Sequence, residues 1–377
     1  TVQNLVLSGY QDNGTTLYNG TNFKYISGGD GMECFFDYSD TSYIFASSQN
    51  GTLVRLHENL STPINSFFPE PGAWTTPFIQ HNSDPNKIFA GFWNVWRAEN
   101  IKTENAADII WTPLTFGEIG FINDLKQSSA NNNILYATRG GTLKRTDNAN
   151  DMNPIWIECN SPEQNWISDI ETHPTDENIV YVTSGNSVYK STDKGMSWSN
   201  ISGNLPLIYP LCIVYDKASN EGLYIGTTTS IFYKNSDMNE WINFANNLPI
   251  VNVRELEIYY DSIQPANNKI SAATYGRGLW SSNLYGAPNK VTENTQENFV
   301  AIFPNPSSGI FTVSLKVDIG ETMNVTLFNI TGKKILDVTF EKGTMHSFNL
   351  SREPDGLYYI RISHKGKTIS KTVIISH

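Results

Sequence analysis

An aromatic residue recurs in this 377-residue chain at Phe45, Phe89, Tyr136, Tyr181 and Tyr224, at intervals of 44, 47, 45 and 43 residues. Each closes the same local pattern: an apolar run, a turn rich in Asp and Asn, then a run of Tyr, Ile and Val. The clearest copy runs from Ile170 to Tyr181 around His173-Pro174-Thr175-Asp176-Glu177-Asn178. Other copies span Phe36 to Phe45, Ile79 to Phe89, Leu125 to Tyr136 and Val214 to Tyr224, and a sixth, Leu256 to Ser271, continues the series. A unit of roughly 45 residues with four short strands cannot bury its apolar face alone. Units that stack around an axis can, and the expected fold is an all-β propeller. Composition agrees: residues are 12% aromatic and 17% charged, and the runs of Ala, Leu, Glu and Lys that build helices are missing.

The ends of the series refine the count. Leu5 to Ile26 reads as strands two to four of a blade, with Val6-Leu7-Ser8-Gly9 as the second strand. Val253 to Leu284 reads as strands one to three. Five full blades and two partial ones predict about seven, either closing a ring here or continuing blades that lie upstream. The first residue is Thr1, consistent with a removed leader or a piece of a longer product.

Within the fourth repeat stands Ser191-Thr192-Asp193-Lys194-Gly195-Met196-Ser197-Trp198. Ser and Asp side chains can close a turn on backbone N–H groups, Gly195 supplies a φ few other residues adopt, and Trp198 brings a large face to bury. The pattern S-x-D-x-G-x-x-W resembles the Asp-box, or BNR repeat, of sialidases, sortilin-like receptors and xyloglucan-cleaving enzymes. Looser copies stand at Lys144 to Asn148 with Trp156 and at Lys234 to Asp237 with Trp241. Trp111 holds the corresponding place in an earlier unit. Asp193, Asp147 and Asp237 are read as turn residues.

After Gly286 the periodicity stops. Residues 287–298 read as a polar, acidic linker, which divides a propeller at 1–286 from a small Ig-like β-sandwich at 299–377. The second module carries Pro304-Asn305-Pro306-Ser307 with Gly309, Phe328-Asn329 to Gly332-Lys333, Gly356-Leu357-Tyr358-Tyr359 and Lys371-Thr372-Val373-Ile374-Ile375. These residues resemble the type A C-terminal sorting domain of the type IX secretion system of Bacteroidota. The resemblance implies Pro304, Asn305, Pro306, Gly309, Gly332, Gly356, Tyr358 and Lys371 as the sorting motif and the secretion machinery as partner. It also implies a secreted or outer-surface location on a Gram-negative cell. The propeller resembles the sortilin-like passengers such modules carry, and Asp261-Ser262-Ile263 resembles a short O-glycosylation site of the same phylum.

Propeller topology separates two faces. The loops joining strands two and three, and those joining strand four to the next blade, share one face; the Asp-box turns lie on the other. The first face collects Tyr10-Gln11-Asp12-Asn13-Gly14, Gly28-Gly29-Asp30-Gly31, Tyr275-Gly276-Arg277-Gly278 and the indoles of Trp74, Trp93 and Trp166. Two readings stand. Asp12 and Asp30 form a carboxylate pair suited to glycoside hydrolysis, or they stabilise tight Gly-flanked loops. The indoles, with Tyr10, Tyr275 and Arg277, line a glycan-binding surface, or they pack between blades.

Several classes are excluded. A net charge of -11 and a pI near 5.0 leave no basic stripe for nucleic acid, and no apolar run reaches membrane-spanning length. Cys34, Cys159 and Cys212 have no metal-ligand spacing and read as small buried side chains; no metal or cofactor is expected. The arginines of the propeller, Arg55, Arg97, Arg139, Arg145, Arg254 and Arg277, come without an F/Y-R-I-P motif, against a sialidase. Three functions remain: a surface propeller binding glycan or protein, a glycoside hydrolase resembling xyloglucan-cleaving tandem propellers with part of its cleft elsewhere, and a structural surface protein.

Overall fold

The computed structural model describes residues 5–58, 60–66, 68–117, 120–286, 300–315, 323–340, 345–364 and 367–377. Apart from four single-turn 3-10 segments, every element is a β-strand. The chain divides into two compact units, Thr1–Ala287 and Pro288–His377. The predicted linker, residues 287–298, lies outside the described residues.

In the first unit seven antiparallel sheets follow one another in chain order. Blades 2 to 6 have four strands each: Gly31–Phe36 to Leu60–Pro63, Phe78–Gln80 to Ile110–Pro113, Asp124–Gln127 to Trp156–Cys159, Ile167–Thr172 to Ser199–Asn200, and Pro210–Asp216 to Ile242–Asn243. Blade 1 has three (Val6–Tyr10, Gly14–Tyr18, Phe23–Ser27), and so has blade 7 (Val253–Tyr259, Lys269–Thr274, Gly278–Asn283). The Asp12 amide donates to Asp30 Oδ1 at 2.6 Å, so the first turn of blade 1 lies at the end where the chain enters blade 2. Val6–Tyr10 therefore runs in the sense of a second strand, as the sequence indicated. Among the described residues, blade 1 lacks its innermost strand and blade 7 its outermost.

The recurring aromatic explains each sheet. Phe45, Phe89, Tyr136, Tyr181 and Tyr224 stand second or third in the second strands and are at most 1% exposed. Burying one such ring is worth roughly 1.5–3 kcal/mol. In register across the sheet stand Arg55, Arg97, Arg145, Lys190 and Tyr233 on the third strands. The three arginines are buried and reach into the next blade. Arg55 donates to Ile101 O and Thr103 O, Arg97 to Ala149 O (2.8 Å) and Asp151 O (2.9 Å), and Arg145 to Lys194 O (2.5 Å). Each guanidinium thus supplies donors to turn carbonyls that would otherwise be buried unpaired. These arginines are consumed by blade-to-blade contacts and are unavailable to a ligand.

A second staple runs the opposite way. The indole N–H of Trp111, Trp156, Trp198 and Trp241 donates to Ile64 O, Leu114 O, Asn160 O and Ile201 O of the preceding blade, at 2.6–3.0 Å. In blades 3 to 6 the tryptophan that ends the three-to-four turn packs its ring against the seam and spends its one donor on it.

The second unit is a sandwich of two antiparallel sheets. One joins Val300–Phe303, Ile310–Leu315 and Met345–Asn349; the other orders Lys334–Phe340, Met323–Asn329, Gly356–His364 and Lys367–Ile375. Phe311, Val313, Val325, Leu327, Phe348, Ile360 and Val373 fill its core. Residues read as a motif in the sequence hold this sandwich together. Asn305 bonds Thr372 O and the Ile374 amide, both at 2.9 Å, and ties the first turn to the last strand. Tyr358, buried, donates its hydroxyl to Pro354 O. Gly309 has φ +98, and a Cβ there would lie 2.6 Å from Ser351 Cα. Gly332 closes the Asn329–Lys333 turn with φ +80, Gly356 starts the strand that pairs with the last one, and Lys371 sits opposite Ile360 in that pairing.

Candidate functional site

The Ser191–Trp198 turn shows what fixes the two faces. Ser191 Oγ donates to Asp193 Oδ1 and accepts from the Gly195 amide at 2.8 Å. Asp193 in turn accepts from the Ser197 amide and hydroxyl. Those hydroxyls, Ser197 ahead of Ser191, hold the Asp193 carboxyl down at about 2. Both its oxygens accept hydrogen bonds from its own turn. In blade 4 the same geometry is made by Thr146 and Asn148: Thr146 Oγ1 donates to Asn148 Oδ1 at 2.8 Å and accepts from the Asn148 amide. Asp147, which the sequence put in that place, instead pairs with Arg145 Nε at 2.9 Å. In blade 6 Asp237 keeps the turn position, its amide bonded to Asn235 Oδ1.

On the opposite face the loops form a belt in which each two-to-three loop is tied to the segment entering or leaving its blade. Backbone bonds link Gly72 to Asn50, Ile122 to Phe92, Ile167 to Gly140, Gly185 to Trp166, Thr228 to Tyr209 and Tyr275 to Asn252. Asp12 and Asp30 meet at the start of this belt. With Asn13, Gly14, Tyr25, Gly29 and Gln49 they line an open recess of about 660 Å³. Asp30 Oδ1 holds the Asp12 amide, the Asp30 amide donates to Gln49 Oε1 at 2.8 Å, and Asp12 has φ +64. One Asp30 oxygen is therefore committed to loop structure, while the Asp12 carboxylate is exposed. Tyr25 and Gln49 were missed in the sequence, where each reads as an ordinary strand-end residue.

The other predicted residues spread round the belt. Trp74 and Trp166 are 52% and 58% exposed, and Trp93 sits at the edge of exposure at 36%. Trp166 lies beside the Gly140 turn, and Trp93 O receives an N–H from Arg139. Tyr10 is half-buried at the end of its strand. Tyr275 is exposed with the Arg254 guanidinium 5.9 Å from its ring centre. Arg277 occupies the same turn, its carbonyl accepting from Trp280. Neither Tyr275 nor Arg277 lines the Asp12/Asp30 recess. Phe116, Leu207, Tyr209 and Ile250 are also exposed on loops of this face, a second group not singled out from the sequence.

A further cluster escaped the sequence reading. The innermost strands carry Glu33 in blade 2, Asp124 and Lys126 in blade 4, Asp169 and Glu171 in blade 5, and Glu255 and Glu257 in blade 7. Burial, then Asp124 and Glu257, push Glu33 up to about 7. Both Glu255 and Glu257 keep solvent-accessible surface along the axis. Glu33, then desolvation by the crowded axis, raises Glu255, and that desolvation raises Glu257. Blades 2, 4 and 7 are therefore within electrostatic reach of one another, as strands around one axis must be. Asp124 and Asp169 both accept from the Ile170 amide at 2.8 Å, and Asp169 also accepts from Ile213. Burial raises both carboxyls, and Asp124 adds to the rise at Asp169. Burial works against the Lys126 ammonium, but Glu171, 3.0 Å away, and Asp169 outweigh it and raise it. Alternating acids at Glu255 and Glu257 look like the solvent face of an edge strand; here that face is the propeller axis. Cys34, Cys159 and Cys212 are free thiols, and burial pushes Cys159 up to about 11. Among the described residues no three His, Cys, Asp or Glu side chains converge as metal ligands.

Residues 301–376 match the family described as the secretion system C-terminal sorting domain. The chain is therefore a secreted or outer-surface protein of a Gram-negative bacterium, delivered through interaction with that secretion machinery. No curated protein sequence matches it. Solved structures share its fold at low identity. PorZ, a surface component of the type-IX secretion system of Porphyromonas gingivalis, is 12% identical with a TM-score of 0.54; 99% of this chain is covered and 58% of PorZ. An extracellular domain assigned to a hybrid two component system of B. thetaiotaomicron is 14% identical (TM-score 0.54; 99% and 53% covered). An ancestral GH74 enzyme is 13% identical (TM-score 0.51; 83% and 38% covered). The chain thus spans little more than half of the first of these and less of the enzyme.

Proposed function

We propose that this is an Asp-box propeller of a Bacteroidota cell that binds a glycan or protein ligand through the face opposite its Asp-box turns. The observation that carries the reading is the sorting of side chains between faces. The Ser191–Gly195 turn and its counterparts at Thr146–Asn148 and Asn235–Asp237 close on themselves on one side. The other side holds Trp74, Trp93, Trp166 and Tyr275 exposed on loops tied to each other by backbone bonds, with the Asp12/Asp30 recess among them. Large exposed aromatics on a pre-formed surface suit the apolar faces of sugars and the anchors of protein interfaces. The test is a glycan array probed with the full chain, beside Trp74→Ala and Trp166→Ala. Binding to a glycan class that falls at least tenfold in either variant supports the reading. Equal binding by all three proteins removes these indoles from the site.

The hydrolase reading draws on the meeting of Asp12 and Asp30 in one recess. Paired carboxylates across a scissile bond are what glycoside hydrolysis needs, and an enzyme of the GH74 class shares the fold. Activity on β-glucans that disappears in Asp12→Asn and in Asp30→Asn would establish it. Activity surviving both substitutions would place catalysis elsewhere.

A further inference from the structure

Two loops of the ligand face repeat each other. Asn204-Leu205-Pro206-Leu207 leads from blade 5 into blade 6, and Asn247-Leu248-Pro249-Ile250 leads from blade 6 into blade 7. The Leu205 amide bonds Ser202 O at 3.0 Å and the Leu248 amide bonds Ala245 O at 3.1 Å, so the two loops turn alike. In each, the first aliphatic side chain packs against a blade core. Proline then fixes the backbone direction, and the next aliphatic points out: Leu207 is 91% and Ile250 86% exposed. A lone exposed aliphatic is ordinary on a protein surface. One at the same turn position of two consecutive blades is a pattern.

Backbone bonds bring the two loops together. Thr228 and Thr229, successive residues of the blade 6 two-to-three turn, bond to opposite sides. The Thr228 amide donates to Tyr209 O at 3.1 Å, and Thr229 O accepts from the Val251 amide at 3.4 Å. One short turn therefore separates Leu207 and the exposed Tyr209 from Ile250. Beyond Ile250, Asn252 O accepts from the Tyr275 amide at 2.9 Å, and the Arg254 guanidinium lies 5.9 Å from the Tyr275 ring centre. Arg277 is exposed in that same turn. Aliphatics, tyrosines and arginines thus form one sector across blades 5 to 7.

Its chemistry narrows the occupant. Sugars stack on flat rings and bond to polar groups, and the Leu207 and Ile250 side chains offer neither. Apolar anchors beside tyrosine and arginine are the makeup of a protein-binding patch. Residues 203–209, 227–230, 246–254 and 274–278 contain Arg254 and Arg277 and no Asp or Glu; Glu255, the next acid in the chain, lines the axis. Apart from the Tyr275 ring, neither guanidinium has a partner among the described residues, so their donors are available to carboxylates. An anionic membrane is a poorer match. It draws on clusters of about four to eight basic residues, and it would meet the whole face, Asp12 and Asp30 included.

We propose that this sector docks an acidic peptide segment of a partner protein. Leu207, Tyr209 and Ile250 receive its apolar side chains, and Arg254 and Arg277 its carboxylates. The proposal rests on the ligand-face reading above and selects the protein partner within it.

The full chain is panned against a phage-displayed library of random dodecapeptides. Enriched peptides are synthesised, and their affinities are read by fluorescence anisotropy. The proteins compared are wild type, Leu207→Asp, Ile250→Asp and the double variant Arg254→Gln with Arg277→Gln. The expected peptides are net negative and carry aliphatic or aromatic residues. Their affinity falls tenfold or more in each Asp variant; in the double variant it falls and loses most of its salt dependence. Both Asp variants are expected to melt with the wild type, because the replaced side chains are solvated. No enriched peptide, net basic peptides, or an affinity that all three variants preserve overturns the proposal. Self-association in sedimentation that Leu207→Asp abolishes also overturns it, in favour of a second copy. So does flotation with phosphatidylglycerol vesicles that Leu207→Asp abolishes, in favour of a lipid surface. A glycan-array signal sensitive to Trp74→Ala beside such a result leaves the ligand face standing without this sector. If neither glycan nor peptide binds, both fall.

Discussion

Arg97 shows how much of this fold depends on contacts that have no signature in the sequence. It is 2% exposed, its guanidinium bonds two carbonyls of the next blade, and its Nε lies 3.1 Å from Glu99. Arg97→Met removes those donors and leaves Ala149 O and Asp151 O unpaired in the seam. A loss of about 3–5 kcal/mol in the free energy of unfolding by urea is expected, the size seen when one partner of a buried pair is removed. Arg97→Lys keeps a charge but not the fork, and is expected to cost about half as much. A cost under 1 kcal/mol for Arg97→Met would show that the staple is dispensable. The aromatic at each second strand was legible because it is apolar, buried and periodic. The arginine facing it was not: its partners are carbonyls about 50 residues onward, which every residue type carries. The same limit explains Asp147, whose identity suited the turn while its neighbour Asn148 makes it.

At the level of elements, the Ser191–Trp198 turn belongs to two blades. Gly195 has φ +89, and a Cβ there would meet Cys159 Sγ at 3.3 Å and Leu143 Cδ2 at 3.4 Å, both in blade 4. Gly195→Ala combines left-handed strain of about 1–2 kcal/mol with pressure on that seam. It is expected to raise amide hydrogen exchange in the Trp156–Cys159 strand as well as in its own turn. Trp198→Phe keeps most of the packing and loses the bond to Asn160 O, for about 1 kcal/mol. Exchange confined to residues 191–198 in Gly195→Ala would mean that the turn acts on blade 5 alone. The motif was complete in the sequence, and so was the direction of strands in blade 1. Which loops touch was only partly legible. Asp12 and Asp30 come together because their blades adjoin, whereas Arg277 stays in its own turn away from their recess. Loop length and side-chain reach decide such contacts, and strand order does not encode them.

At the scale of the whole molecule, the two compact units have separate cores, with residues such as Val325 and Ile360 in the sandwich and Phe45 and Val182 in the blades. Calorimetry of the full chain is expected to show two transitions. Val325→Ala, at a core site where such truncation costs about 2–4 kcal/mol, should lower one and leave the other in place. A single transition shifted as a whole would show that the units unfold together.

The axis of the propeller gives that molecule a pH dependence opposite to the usual acid lability. Glu33, Asp124, Asp169, Glu255 and Glu257 have raised pKa values in the folded chain, with Glu33 near 7. Between their ordinary values and the raised ones, the folded state holds more protons than the unfolded one. Stability then falls as pH rises through that interval. Lys126 is raised as well, but its contribution is complete below its ordinary value of 10.5 and is constant here. Asp193, held near 2, acts in the other direction, and its contribution disappears only as pH falls from 3.8 toward 2. His81, lowered from 6.5 chiefly by burial, opposes this slope below pH 6.5, and Asp216, raised by burial, adds to it. With five axial acids against one imidazole, the propeller transition is expected at a higher temperature at pH 5 than at pH 8. Glu33→Gln carries no ionisable proton and relieves Glu255 of its largest opposing charge. It should raise the pH 8 transition and flatten the pH 5-to-8 slope while leaving the acid limb, where Asp193 acts, unchanged. A slope that Glu33→Gln leaves intact would mean that Glu33 ionises freely and that the inner strands of blades 2 and 7 do not feel each other across the axis.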